Sequence, residues 1–254
     1  MNGADADRWS RVAAQWAALW GGFAEPAWAA VATATGIGPG VRVLDVGCGA
    51  GDFLAYVHRL GALPSGVDPA PGMVSDARGR LPAADIRRHS LSDLPWDDGQ
   101  FDVVTAFNAL QFAPDLAAGL AALVRVVRPG GHVAVANWAE ASRNDLEAVE
   151  EAVARAAGEE PLPDDATRLP GGLERLFEAA GLSVVEAGLV AVPWYAPDDD
   201  TLVRGVLLGE DPETMAARAP VAVAVARPFR LPEGGYRLDN AFRYAVGRTP
   251  ARPR

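Results

Sequence analysis

The segment Val43–Gly51, with the sequence VLDVGCGAG, decides the fold class. It joins the short β-branched strand Val41–Val46 to a helical pattern over Gly51–Leu60 through a turn that holds three glycines. Glycine is needed where the backbone adopts positive φ, or where the main chain must lie against a ligand without an intervening side chain. The segment therefore predicts a strand, a ligand-binding turn and a helix in succession.

The acid Asp68 supplies the second half of this signal. It ends the next predicted strand, Ser65–Val67, and a carboxylate there can accept hydrogen bonds from both hydroxyls of a ribose. A dinucleotide-binding turn would place glycine or alanine at position 52, but this chain has Asp52, whose charge would repel a pyrophosphate. The spacing therefore favours a ligand with a ribose and no phosphate, such as S-adenosylmethionine, over a nicotinamide dinucleotide.

Strand and helix patterns alternate as far as Asn137, which predicts an α/β protein with a parallel sheet covered on both faces. Upstream, apolar residues at a spacing of three to four predict an N-terminal helix that carries Trp9, Trp16 and Trp20. The further strands are predicted at Ile86, Phe101–Phe107, His132–Asn137, Leu182–Val192 and Phe242–Val246. The further helices are predicted at Pro26–Thr35, Pro71–Arg80, Asp115–Val127, Asn144–Ala157, Leu173–Ala180, Leu202–Leu208 and Glu213–Arg227.

Composition restricts the partners. The 254 residues carry a formal net charge of −10, and their arginines are scattered without a basic stripe, which disfavours nucleic acid and favours a small-molecule substrate. Cys48 is the single cysteine, so no intramolecular disulfide can form. The N-terminal residues include Asp5, Asp7 and Arg8 and form neither a signal peptide nor a membrane span. We therefore expect a cytoplasmic protein without a membrane partner.

Taken together, four segments resemble the class I S-adenosylmethionine-dependent methyltransferases of the UbiE/type-11 kind. They are VLDVGCGAG (43–51), GVDPAPGM (66–73), LPWDDGQFDVV (94–104) and RVVRPGGHVAVA (125–136). The resemblance covers roughly Val41–Asn137, and the ending Tyr236–Val246 is similar to the family's final antiparallel strand. It implies methyl transfer from S-adenosylmethionine to an O, N or C nucleophile of a small biosynthetic molecule by in-line displacement.

The resemblance also implies an architecture. We expect a Rossmann-like, seven-stranded, mostly parallel sheet whose last strand is antiparallel, within a single domain and in a monomer or homodimer. Its parts would be an N-terminal helical lid (1–40), the cofactor-binding core (41–137), a cap insertion with strand six (138–235) and the final strand (236–254).

Cofactor contacts follow from the same resemblance. Backbone around Gly47 and Gly49 would hold the methionine part, with Asp45 near its ammonium group, and Asp68 would take the ribose hydroxyls. Ser90 stands where the family often has an acid, which is a departure that weakens or re-routes the adenine contact. The complete expected set is Asp45, Gly47, Cys48, Gly49, Gly51, Asp68, Pro69, Met73, Ser90, Leu91 and Asn108.

The expected substrate contacts are mainly aromatic. Trp16 and Trp20 would form part of a lid, and the other members of the set are Gln111, Trp138, Trp194 and Tyr195. His89, which follows the third strand, is the only candidate for a general base. No His, Cys or carboxylate grouping has the spacing of metal ligands, so no metal is expected.

Three alternatives stay open. A protein of this fold can bind S-adenosylmethionine and catalyse a non-methylating reaction such as a cyclisation, which the serine at position 90 and the lack of an evident base allow. A nicotinamide dehydrogenase is the second alternative, and Asp52 argues against it. A non-enzymatic binding module is the third.

Overall fold

The computed structural model describes residues 3–251, so the outer ends of the predicted lid (1–40) and of the predicted final segment (236–254) lie outside the described residues. The helices of the described chain are α1 (Gly3–Trp20), α2 (Glu25–Thr35), α3 (Asp52–Arg59), α4 (Pro71–Arg80), α5 (Leu116–Val126), α6 (Asp145–Ala156), α7 (Gly172–Ala179), α8 (Asp199–Val206) and α9 (Pro212–Ala226). The strands are β1 (Arg42–Val46), β2 (Leu63–Val67), β3 (Asp85–Arg87), β4 (Phe101–Phe107), β5 (Val127–Trp138), β6 (Ser183–Ala191), β7 (Trp194–Ala196), β8 (Tyr236–Leu238) and β9 (Ala241–Arg248).

One sheet of seven strands, in the order β3-β2-β1-β4-β5-β9-β6, organises the molecule. Strands β1 to β5 are parallel to one another, and β9 runs antiparallel to its neighbours β5 and β6. This confirms the predicted seven-stranded, mostly parallel sheet with its last strand antiparallel. The strand order reverses between β1 and β4, which is where ligands bind in open α/β sheets.

Successive residues of β1 point to opposite faces of the sheet and enter two different cores. Leu44 packs with Leu120 and Leu123 of α5 and with Phe177 of α7. Val43 packs on the other face with side chains of α2 and α3. Because both faces are buried at the centre of the sheet, a central strand such as β4 is largely apolar in sequence.

A helical cap continues from the sheet and contains the small antiparallel sheet of β7 and β8. Helices α6, α8 and α9 pack in it around Leu202 and Tyr236, and the end of α1 joins them through Trp20. The interpretation of Tyr236–Val246 as one strand is wrong, because Tyr236–Leu238 pairs with β7 and the final strand begins at Ala241. Hydrogen bonds to the start of α6 bend the chain between them: Asn240 accepts one from the Leu146 N–H at 3.1 Å.

No helix within residues 3–251 is both long and apolar enough to cross a membrane.

Candidate functional site

The glycine turn after β1 is fastened to the end of β2. The N–H groups of Gly47 and Cys48 donate to the Val67 carbonyl at 2.8 and 3.0 Å. Gly47 has φ +76°, and a Cβ atom at this position would lie 2.4 Å from the Cβ of Ala109. Glycine is therefore required here both by the left-handed backbone and by the close approach of the segment after β4.

Asp68 lies beside this turn with only 7% of its surface exposed. One carboxylate oxygen accepts the Gly49 N–H at 3.0 Å, and the other accepts the Ala70 N–H at 2.8 Å. Burial raises the pKa of Asp68 to about 6, although the two N–H bonds favour its charged form. Each oxygen keeps capacity for another hydrogen bond, so the group can receive two neighbouring hydroxyls.

Asp45 is the second buried acid of the site. It is 3% exposed and accepts a hydrogen bond from the Thr105 hydroxyl at 2.7 Å. Burial raises the pKa of Asp45 to about 7, the Thr105 bond lowers it, and the charge of Asp68 adds to the rise. A cationic group placed next to Asp45 would favour the ionised form and reverse this penalty.

A cavity of about 490 Å³ opens between the glycine turn, α1 and the cap. Fourteen of the predicted site residues line it: Asp45, Gly47, Cys48, Gly49, Asp68, Pro69, Met73, His89, Leu91, Asn108, Trp16, Trp20, Gln111 and Trp138. Residues that the sequence assigned separately to cofactor and substrate therefore surround one space.

Four predicted site residues do not line this cavity. Gly51 precedes α3 as its N-cap in the left-handed conformation, and the Ser90 hydroxyl forms a hydrogen bond with the Ser92 hydroxyl at 2.9 Å. Trp194 is buried behind Trp20, with the two rings stacked at 4.4 Å. Tyr195 is the next residue of the short strand β7 and points the other way, with 57% of its surface exposed. Trp194 therefore supports the cavity wall from behind Trp20, whereas Tyr195 faces away from the cavity.

Two amides in the cavity wall have unsatisfied acceptors. Asn108 Oδ1 and Gln111 Oε1 are buried without a hydrogen-bond partner among the described residues. Asn108 also has φ +49°, the one positive value for a non-glycine residue in the described chain. Its N–H is fixed by the Ala136 carbonyl at 2.8 Å. Strain and unpaired acceptors at the end of β4 point to a ligand that donates hydrogen bonds.

The two reactive side chains of the site differ in their suitability for catalysis. His89 Nδ1 lies 3.2 Å from a carboxylate oxygen of Asp93, and this pair is exposed at the cavity edge. Cys48 is buried, and burial raises the pKa of its thiol well above the ordinary value. A thiol held protonated is a poor nucleophile, so Cys48 serves as a small packing residue in the turn.

Asp52, at the start of α3, supports the exclusion of phosphate ligands. It lines the cavity and forms an ion pair with Arg80 at 2.6 Å. The helix end that would hold a pyrophosphate is therefore already occupied by a carboxylate. Among residues 3–251, no group of three or more His, Cys, Asp or Glu side chains is placed to hold a metal ion.

Helix α1 covers one side of the cavity. The Gly72 N–H at the start of α4 donates to the Ser10 hydroxyl at 3.1 Å, and a Cβ atom at Gly72 would lie 2.6 Å from the Ser10 carbonyl oxygen. This close approach holds α1 beside Met73, while Trp16 and Trp20 face the cavity.

The sequence patterns did not point to three charged residues of the cavity wall, Glu147, Glu150 and Arg168. Arg168 donates to Glu147 at 2.8 Å and to the Ala139 carbonyl at 2.7 Å. The spacing of three between Glu147 and Glu150 places both on one face of α6, which is the signal that could have found them. Nothing local shows that this face lines a cavity.

A mostly parallel sheet with a glycine turn after β1 and a buried acid after β2 is typical of proteins that bind a nucleoside at the switch point. Residues 44–135 match the family model described as a methyltransferase domain. This match covers less than half of the chain and supports the predicted resemblance to the class I S-adenosylmethionine-dependent methyltransferases, with S-adenosylmethionine as the cofactor.

Three curated relatives share this part of the chain. An uncharacterised protein of Mycobacterium tuberculosis is 37% identical over 109 residues, covering 41% of this chain and 40% of the relative. The malonyl-[acyl-carrier protein] O-methyltransferase of Serratia marcescens is 35% identical over 108 residues, covering 42% of each chain. A ubiquinone biosynthesis O-methyltransferase of Xanthomonas campestris is 40% identical over 98 residues, covering 37% of this chain and 41% of the relative. The match spans about two fifths of these relatives.

Solved structures match over much more of the chain. An S-adenosylmethionine-dependent methyltransferase of Thermotoga maritima superposes with a TM-score of 0.56 at 17% identity, covering 95% of this chain and 98% of that one. The [4+2]-cyclase SpnF superposes with a TM-score of 0.58 at 21% identity, covering 89% and 80%. At these identities the superpositions show a shared Rossmann-like fold.

Proposed function

We propose that this protein transfers the methyl group of S-adenosylmethionine to a nucleophilic atom of a small molecule by in-line displacement. The observation that carries the proposal is the joint cavity, in which the glycine turn, Asp68 and the strained Asn108 lie together with an aromatic wall. The family supports methyl transfer in general, and the particular acceptor is a matter for experiment.

The residues present fit the cofactor. The spare acceptor capacity of Asp68 suits the two ribose hydroxyls. Asp45 and the unpaired oxygen of Asn108 suit the donors of a methionine ammonium group. Met73 and Leu91, both on the cavity wall, offer apolar surface to a flat adenine. Ser90 does not reach the cavity, so no acid at this position meets the adenine amine.

When bound, the cofactor supplies a methyl group already activated by a sulfonium centre. The protein binds, orients and excludes water, and these effects dominate when no further activation is needed. In the displacement a bond forms between the acceptor atom and the methyl carbon while the carbon–sulfur bond breaks. A proton of the acceptor leaves to a base, for which His89 at the cavity edge stays the predicted candidate.

Asp68→Ala tests the cofactor assignment. The change removes an ionised acceptor, and hydrogen bonds to charged groups contribute about 1.5–3 kcal/mol each. We therefore expect calorimetry to show S-adenosylmethionine binding weakened by about a hundredfold. Asp76→Ala, which removes an exposed acid from α4, is the matched control and should bind normally. Unchanged affinity in Asp68→Ala would refute the assignment.

A non-methylating reaction such as cyclisation is the alternative, since SpnF shares the fold. Incubation of candidate acceptors with methyl-labelled cofactor separates the two functions. Label in the product together with adenosylhomocysteine supports transfer, whereas product formation with intact cofactor supports the alternative. The cytoplasmic location, the monomeric or homodimeric state and the division into lid, core, cap and final strand stay predictions.

A further inference from the structure

Glu150 is an acid of the cap that the proposed chemistry does not use. It lies on α6, which is anchored in the cap by buried Leu146 and Val149. The Glu150 side chain is exposed in terms of accessible surface and also lines the cavity. Nevertheless, burial raises its pKa to about 7, with the charge of Glu147 adding to the rise and Arg168 opposing it. The exposed surface and the raised pKa are compatible if the accessible surface of Glu150 opens into the cavity.

The protein supplies no partner for this carboxyl group. Arg168 acts on Glu150 through its charge, but its guanidinium is engaged by Glu147, by the Ala139 carbonyl and by Asp164 at 3.1 Å. Within the described chain, no hydrogen bond or ion pair to Glu150 is formed. Another carboxyl group of the same region is satisfied, since Glu140 pairs with Arg243 at 2.6 Å. An acid that lines the cavity without a protein partner is free to bind a cationic group of a ligand.

The remainder of the cavity shows which ligand group is missing. The charged or titratable residues of its wall are Asp45, Asp52, Asp68, Glu147 and Glu150 on the acidic side, with Arg8, Arg168 and His89 on the other. The wall therefore has an acidic excess. The aromatic side chains of the wall are Trp9, Trp16, Trp20, Phe23, Trp28, Phe53, Phe107, Phe112 and Trp138. Aromatic faces with a carboxylate attract ammonium groups through cation–π contact and charge.

We propose that Glu150 binds an amino group of the acceptor substrate, and that the acceptor is therefore an apolar or aromatic amine. That the bound amine is the methyl acceptor rests on the proposed methyl transfer. The binding of an amine by Glu150 rests on the cavity alone. Glu150 determines specificity in this proposal: its carboxylate holds the amine while the aromatic wall holds the apolar body. An acidic substrate is repelled from the same position.

Phenethylamine and its near-isosteres test this role. Their binding is followed through tryptophan fluorescence, because Trp16, Trp20 and Trp138 line the cavity. The wild-type protein should bind phenethylamine about tenfold more tightly than neutral 2-phenylethanol, as one charge-assisted hydrogen bond provides, and 3-phenylpropanoate least of all. Glu150→Gln keeps the shape of the side chain and should bring the amine and the alcohol to nearly equal affinity.

Glu151→Gln is the matched control. It removes the same charge from the next residue, whose partner is Arg155 across one turn at 2.6 Å and which does not line the cavity. This variant should keep the amine preference, and both variants should keep the melting temperature and the calorimetric affinity for S-adenosylmethionine. A wild-type protein without amine preference, or a Glu150→Gln variant that retains it, overturns the proposal. Failure of the wild-type protein to bind S-adenosylmethionine would instead overturn the proposed function.

Discussion

Asp45→Asn should stabilise the cofactor-free protein at alkaline pH. Asp45 is buried on β1, and its ionised form is held there without a cation. Asparagine has nearly the same shape, and its amide oxygen can accept the Thr105 hydroxyl that Asp45 now accepts at 2.7 Å. The substitution therefore removes the buried charge and leaves the hydrogen bond in place.

The expected magnitude follows from the pKa of Asp45, which is about 7 in the folded protein and about 3.9 in an unfolded chain. Between these values the folded state binds more protons than the unfolded state, so ionisation destabilises the fold as pH rises. The loss begins near pH 4 and is complete slightly above pH 7. Between pH 5 and pH 8 it removes about 2.5 kcal/mol from the free energy of unfolding.

Urea unfolding of the wild-type and variant proteins at pH 5, 6.5 and 8 measures this effect. The free energy of unfolding of Asp45→Asn minus that of the wild type should increase by about 2.5 kcal/mol from pH 5 to pH 8. Asp68 and Glu150 titrate in the same direction in both proteins, so the subtraction removes most of their contribution. Asp76→Asn, at an exposed position, should show no such increase. A difference that stays constant with pH would refute the reasoning.

Three further predictions concern the glycine turn, the cavity wall and the ion pairs at the start of β4. Gly47→Ala should abolish the calorimetric signal of S-adenosylmethionine binding, because the alanine Cβ would lie 2.4 Å from Ala109 Cβ and the backbone there has φ +76°. Gly22→Ala, at a position with open space, is the control and should bind S-adenosylmethionine normally. Trp20→Ala should lower the free energy of urea unfolding by about 3–5 kcal/mol, because Trp20 is 4% exposed and stacked on Trp194, and a loss below about 1 kcal/mol would contradict this. Asp102→Asn removes a carboxylate whose pKa is lowered by Arg42 and Arg128 despite its partial burial. The wild type should therefore be more stable than the variant above about pH 4, and this advantage should shrink at lower pH. An advantage that persists in acid would contradict the ion-pair explanation.

The glycine turn and its acidic partner were predictable because their determinants are local. Val43–Gly51 contains the strand, the turn and the start of the helix in one segment. The backbone has positive φ at Gly47, and glycine is the residue that adopts positive φ most readily. Asp68 was predictable because parallel neighbouring strands end at one edge of the sheet, and Val46 pairs with Val67. A short sequence pattern therefore specified both halves of this geometry.

The cap was less predictable because its contacts join distant segments. β7 and β8 pair Trp194 with Leu238 across more than forty residues, so the chain folds away from the sheet where the pattern indicated one continuous strand. The same pairing turns Tyr195 outward and Trp194 inward. Because successive side chains of a strand point to opposite faces, Trp194 and Tyr195 must face opposite sides of β7. Only the packing of the cap decides which of the two is buried.

By itself, the sequence determined the α/β fold, the glycine turn and the two buried acids, because each depends on residues close in the chain or on the regular geometry of parallel strands. Tertiary structure alone decided which side chains share the cavity. The exposure and the pKa of Glu150 depend on how α6 packs in the cap and on Arg168 being engaged elsewhere, and neither is encoded near position 150. Burial and electrostatics are properties of the assembled surroundings, so the specificity of the site emerges only when the cap is folded.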